Sequence, residues 1–77
     1  ERLISFLITM ATRFGATTDK GIEIRVPLKQ QDIASSINAS RETTSRELNG
    51  LENKQLIHSS KAQFITLKDI DKLRSYI

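Results

Sequence analysis

Three residues, Asn38-Ala39-Ser40, join two segments whose apolar residues recur at helical spacing, and that short join constrains the fold most. Before it, Leu28, Ile33, Ala34 and Ile37 fall on one side of a predicted helix over residues 28–37. After it, a helix from Arg41 to about Lys54 turns Leu48 and Leu51 inward, with Thr44 next to them. Three residues is the connection length of a helix-turn-helix, and helices that cross steeply approach closely only where side chains are short, as at Ala34. Asn38 accepts positive φ better than most non-glycine residues, and Ser40 can accept from the free N–H groups that open the next helix.

The flanking sequence supplies the rest of a small core. Residues 2–14 carry Leu3, Phe6, Leu7, Met10 and Phe14 at helical spacing, and Ile4, Ile8 and Ala11 widen the stripe. Gly15 is placed to stop that helix in the left-handed conformation. Residues 16–20 read as a polar connection, with Asp19-Lys20-Gly21 the reversal. Ile22 to Val26 alternates apolar and charged residues, the period of a half-buried strand, and Pro27 closes it because proline cannot donate to a ladder. Gln55–Ser59 and Gln63–Leu67 read as short strands around a turn at Ser60-Lys61-Ala62. Ile70, Leu73 and Ile77 mark a short closing helix. The resulting fold class is α+β: a winged helix-turn-helix with a three-helix core, a small antiparallel sheet and a short C-terminal helix. The hairpin around Lys61 is its wing, and residues 1–77 form a single domain.

Composition narrows the function. Seventy-seven residues allow one domain, near the lower size limit for unaided folding. There is no cysteine, hence neither a disulfide framework nor a thiolate metal site, and the single histidine, His58, leaves little scope for a metal cluster. His58 therefore reads as structural or exposed, and no cofactor or metal is expected in this domain. No apolar run approaches the ~20 residues of a membrane span, and no signal peptide is evident; a reducing cytosolic setting is the default. Twelve Lys and Arg against nine Asp and Glu give a net charge of +3, which suits a polyanionic partner without requiring one. No nucleophile–base pair, carboxylate dyad or glycine-rich phosphate loop is present in the pattern, so an enzyme is not expected. The chain opens at Glu1, already in helical pattern, which suggests a fragment of a longer protein.

At about 100° per residue, Arg41, Glu42, Ser45, Arg46 and Asn49 share an arc of roughly 140°, opposite Leu48 and Leu51. Such a helix can bury one face and lay the other in a DNA major groove. Arginine bonds guanine O6 and N7 as a bidentate fork and a carboxylate accepts from cytosine N4, which makes Arg41 and Arg46 guanine readers and Glu42 a cytosine reader. Ser45 and Asn49 can meet base or backbone. Ser40, Thr43, Lys29, Gln30, Gln31 and Lys61 are candidates for phosphate contacts that set register. A second reading stands beside the first: Glu42 and Arg46 are an i,i+4 pair, worth about 0.2–0.5 kcal/mol as a solvated bridge. Ser40 also reads as a plain N-cap, which is compatible with a phosphate contact, and a lone loop lysine such as Lys61 is more often merely solvated.

The stretch Q-D-I-A-S-S-I-N-A-S-R-E-T-T-S-R-E-L resembles the C-terminal domain of the catabolite activator / fumarate-nitrate regulator (Crp/Fnr) family of bacterial transcription factors. The S-R-E-T motif followed by S-R is its most specific part. The opening R-L-I-S-F-L-I-T-M-A-T-R-F-G and the tail I-T-L-K-D-I-D-K-L-R extend the likeness across nearly the whole chain, and the opening and wing are similar to the cyanobacterial and plastid nitrogen-control branch. The resemblance implies a homodimeric regulator with an upstream effector-sensing β-roll and dimerisation helix, both outside these residues. It also implies double-stranded DNA as ligand, a palindromic site with TGTGA-like half-sites, RNA polymerase as partner, and a bacterial cytoplasm or plastid stroma as location. Two residues depart from the family pattern. Lys29 stands where the family has a capping Ser or Thr, and Glu47 stands where it commonly has an apolar residue.

The rival functions are a winged-helix module that binds protein and one that binds RNA. Neither needs Arg41 and Arg46 aimed at base edges, and a protein-binding module would lack the steep salt dependence of a DNA complex.

Overall fold

The computed structural model describes residues 2–60 and 63–77. Among them the chain runs α1 (Arg2–Phe14), β1 (Gly15–Thr18), β2 (Gly21–Ile24), α2 (Gln30–Ile37), α3 (Arg41–Asn53), β3 (Ile57–Ser59), β4 (Ile65–Leu67) and α4 (Ile70–Arg74). The strands form one antiparallel sheet in the order β1-β2-β4-β3. This is the expected α+β winged helix, with one strand more than the sequence predicted.

That strand is β1. Gly15-Ala16-Thr17-Thr18 lacks apolar alternation, so it reads as connection, yet it pairs with β2 along its whole length, Gly15 against Ile24 and Thr18 against Gly21. Gly15 is accordingly not a left-handed stop. It is needed for closeness: a Cβ there would collide with the Ala11 carbonyl oxygen and come within 2.6 Å of Ile22 Cγ2. Positive φ falls instead on Gly21 (137°), where a Cβ would strike the Leu67 carbonyl oxygen across the β2–β4 pairing. The reversal at Asp19-Lys20 sits where the sequence put it.

The core is assembled from every helix and from three of the strands. Leu3, Ile4, Leu7 and Ala11 of α1 pack with Ile33 and Ile37 of α2, Leu48 and Leu51 of α3, and Leu73 of α4. Ile24, Ile57, Ile65 and Leu67 close it from the sheet. Two stripe residues miss it. Phe14 is 45% exposed because α1 ends there and Gly15 turns the chain away beneath Ala11; Ile77 is 61% exposed because α4 stops at Arg74.

Helices α2 and α3 end alike. Asn38 is left-handed (φ 58°, ψ 48°), and the Ala39 N–H donates to the Ala34 carbonyl at 2.9 Å. Gln55 is left-handed (φ 63°), and the Leu56 N–H donates to the Leu51 carbonyl at 3.0 Å. Each is the six-to-one bond of a Schellman motif, and Leu51 and Leu56 both lie in the core cluster. Asparagine suits the first turn, as its sequence position implied. Glutamine in the second carries no such signal.

Candidate nucleic-acid interface

The site is built from the start of α3 outward. Ser40 is extended (φ −74°, ψ 157°), and its Oγ accepts from the Thr43 N–H at 3.1 Å, so the predicted cap forms. The same hydroxyl donates to Thr43 Oγ1 at 2.9 Å, which leaves the Thr43 hydroxyl proton for an outside acceptor. One residue on, Thr44 is fully buried, and its hydroxyl donates back to the Ser40 carbonyl at 2.9 Å. A buried polar group normally costs stability; here it is satisfied within its own helix. Thr44, Leu48 and Leu51 thereby anchor one face of α3 to the core.

The opposite face is open. Arg41, Glu42, Arg46 and Asn49 are exposed and Ser45 is half-buried, and together with Gln30 of α2 they line one shallow depression. The predicted arc is therefore one continuous surface. Among the described residues Arg25 and Glu23 form an ion pair at 2.8 Å and His58 Nδ1 lies 3.7 Å from Glu52, whereas Glu42 and Arg46 do not close the i,i+4 bridge. His58 is exposed, as one of its two readings had it.

The start of α2 is different. Lys29 stands at its cap position (φ −75°, ψ 145°) with no side-chain hydrogen bond to the helix, the consequence drawn from lysine having no acceptor. Lys29 and Gln31 are exposed, Gln30 is half-buried, and all three line an open cleft with Arg41. The far wall of that cleft is Ser59, Ser60 and Gln63, over a floor that includes Leu28 and Ile65. Sequence reasoning did not single out these three wall residues. Short polar residues beside a turn are ordinary, and only the fold brings them to α2, through a bond from the Leu28 N–H to the Gln63 carbonyl at 2.9 Å. Gln30 and Arg41 line both depressions, so cleft and helix face are one surface. Lys61, assigned to the wing tip, lies outside the described residues.

Glu47 falls away from this surface. It is exposed and lines a groove with Leu3, Ile4, Gly50, Leu51 and Lys54, where α1 meets α3. A carboxylate therefore stands at an exposed position where the family is commonly apolar. Among the described residues no helix is long and apolar enough to cross a membrane.

A helix pair joined by three residues, a capped second helix with one polar face, and a hairpin bonded to the residues that lead into the first helix define a winged helix-turn-helix. The chain belongs to the Crp-like helix-turn-helix domain family, whose model matches residues 1–76. It is 33% identical over 76 residues to the global nitrogen regulator of Nostoc sp. (strain PCC 7120), covering 99% of this chain and 34% of that protein. It is 33% identical over 75 residues to the nitrogen fixation regulation protein FixK of Rhizobium meliloti (strain 1021), covering 97% of this chain and 34% of that protein. Among solved structures it superposes with a TM-score of 0.89 on the CO-dependent transcription factor CooA from Carboxydothermus hydrogenoformans, at 27% identity, over 97% of this chain and 35% of that one. The chain thus spans about a third of the length of the relatives it matches. As a Crp-like helix-turn-helix domain it is a DNA-binding domain of the kind that transcription regulators carry.

Proposed function

We propose that this domain reads a palindromic duplex with TGTGA-like half-sites, α3 lying in the major groove and the cleft beside it straddling the sugar–phosphate backbone. The observation that carries the reading is the convergence of Arg41, Glu42, Ser45, Arg46 and Asn49 on one exposed surface, opposite the buried Thr44, Leu48 and Leu51. Arg41 and Arg46 fork onto guanines and Glu42 accepts from cytosine N4. A carboxylate on this face is repelled by phosphates, so its place among the arginines favours base edges over general anion binding. Ser45 and Asn49 complete the contact at base or backbone.

Thr43, whose hydroxyl proton the Ser40 cap leaves unused, donates to a phosphate, and Ser40 supports it. Lys29, Gln30 and Gln31 meet the backbone from α2, and Lys61 from the wing. Two such domains act as a homodimer joined by a helix outside these residues, and RNA polymerase is the protein partner. The working location is a bacterial cytoplasm or a plastid stroma.

Selection of random duplexes by the dimer, repeated with Arg46→Ala, tests this. A palindrome with guanines in its half-sites is expected, and Arg46→Ala should cost about 1–3 kcal/mol at one base pair per half-site. Selection that yields no palindrome, or a loss spread evenly over all sequences, would sink the base-reading assignment.

A further inference from the structure

We infer that Arg2 is a positioning residue for DNA reading: from the first turn of α1 it clasps the turn on which α3 is hung. The inference rests on the reading that α3 contacts bases. The Arg2 guanidinium, through Nη1, donates to the Ile37 carbonyl at 3.2 Å, across 35 residues of sequence, in a partly buried setting. Ile37 is the last residue of α2, and the final carbonyls of a helix have no partner within it. At this end the Ala34 and Ser35 carbonyls are taken by the N–H groups of the turn, at 2.9 Å from Ala39 and 3.4 Å from Asn38. The Ile37 carbonyl is satisfied from outside, by a cation at the negative end of the helix.

The placement matters because the next residue is the left-handed Asn38, and Ser40 then starts α3. Arg2, Ser5 and Phe6 of α1 form one wall of a groove whose other wall is Ser36, Ile37 and Asn38, so α1 meets the turn directly. Leu3, Leu7 and Ala11 fix α1 to the core, which gives the clasp a rigid base. The lever is long: Asn49 lies about 12 Å along α3 from Arg41, so a 10° tilt at the turn displaces its side chain by roughly 2 Å. A base-reading constellation tolerates about 0.5 Å. A contact that touches no DNA can therefore decide whether Arg41 and Arg46 reach their bases together.

The test uses the full-length chain with Arg2→Met, which keeps an apolar stem and removes the donors, and Arg2→Lys, which keeps a charged donor. Affinity is measured for the duplex selected by the wild type and for a scrambled duplex of equal length, at one salt concentration. Arg2→Met should weaken the selected duplex by about tenfold, the worth of one bidentate base contact, and the scrambled one by less than about twofold. Arg2→Lys should recover most of the loss. Equal weakening of both duplexes, no weakening, or failure of lysine to rescue would overturn the inference. Amide spectra without DNA give a second readout: in Arg2→Met the shifts should centre on residues 36–46, and shifts spread through the sheet and α4 would also overturn it. If the wild type selects no duplex, the base-reading assignment fails, while the spectra still decide whether Arg2 holds α3. Should Arg2→Met not fold, Arg2→Gln, shorter and uncharged, replaces it in both measurements.

Discussion

The two helices of the motif begin in opposite ways. At α3, Ser40 accepts the Thr43 N–H and donates to the Thr43 hydroxyl, so the helix start is satisfied by its own sequence. At α2, Lys29 makes no side-chain cap, and Lys29, Gln30 and Gln31 line a cleft walled by Ser59, Ser60 and Gln63. A self-satisfied start keeps its geometry with or without a ligand, which suits side chains that must meet base edges. An unsatisfied start beside a lysine retains donors and positive charge for an anion, which suits a phosphate contact. The start of α3 is thus closed by its own side chains, and the start of α2 is left without a side-chain cap.

Three substitutions probe that contrast. Ser40→Ala, the largest effect, orphans the Thr43 N–H and should cost about 1 kcal/mol of stability, a Tm drop of about 4–8 °C for a domain of this size. It should also loosen the preference for the selected duplex; unchanged melting and unchanged preference would remove Ser40 from the account. Lys29→Ser should go the other way on stability, adding up to about 1 kcal/mol by supplying the missing cap. The same change should flatten the dependence of log K on log salt by about 0.9, one phosphate contact, and weaken all duplexes alike. A selective loss at one base pair would contradict the phosphate role of Lys29. Gly50→Ala is the smallest: a Cβ there meets nothing within 4 Å, so the variant should gain about 0.5 kcal/mol from helix propensity alone. Its salt slope should match the wild type, and a lowered Tm would show that Gly50 is kept for a contact.

Much of this was legible because it is local. The periodicity of Leu28 to Ile37, the serine before Arg41 and the asparagine after Ile37 each act within a few residues. The cap, the left-handed turn and the polar arc of α3 follow from them. Glu47 was legible only as an anomaly. Whether that position was buried depended on how far α1 covers that side of α3, and the structure leaves it exposed.

By itself, then, the sequence determined which segments are helical, where α3 starts, and which side of it faces out, since 3.6-residue periodicity and side-chain caps are short-range. Only the tertiary structure decided that Gly15-Ala16-Thr17-Thr18 is a strand, because its partner β2 supplies the ladder that its own side chains do not signal. Only it joined Ser59, Ser60 and Gln63 to the start of α2, and Arg2 to the end of α2. Those contacts link residues some thirty or more positions apart, and no pattern within a single segment encodes a partner that packing of the core alone brings near.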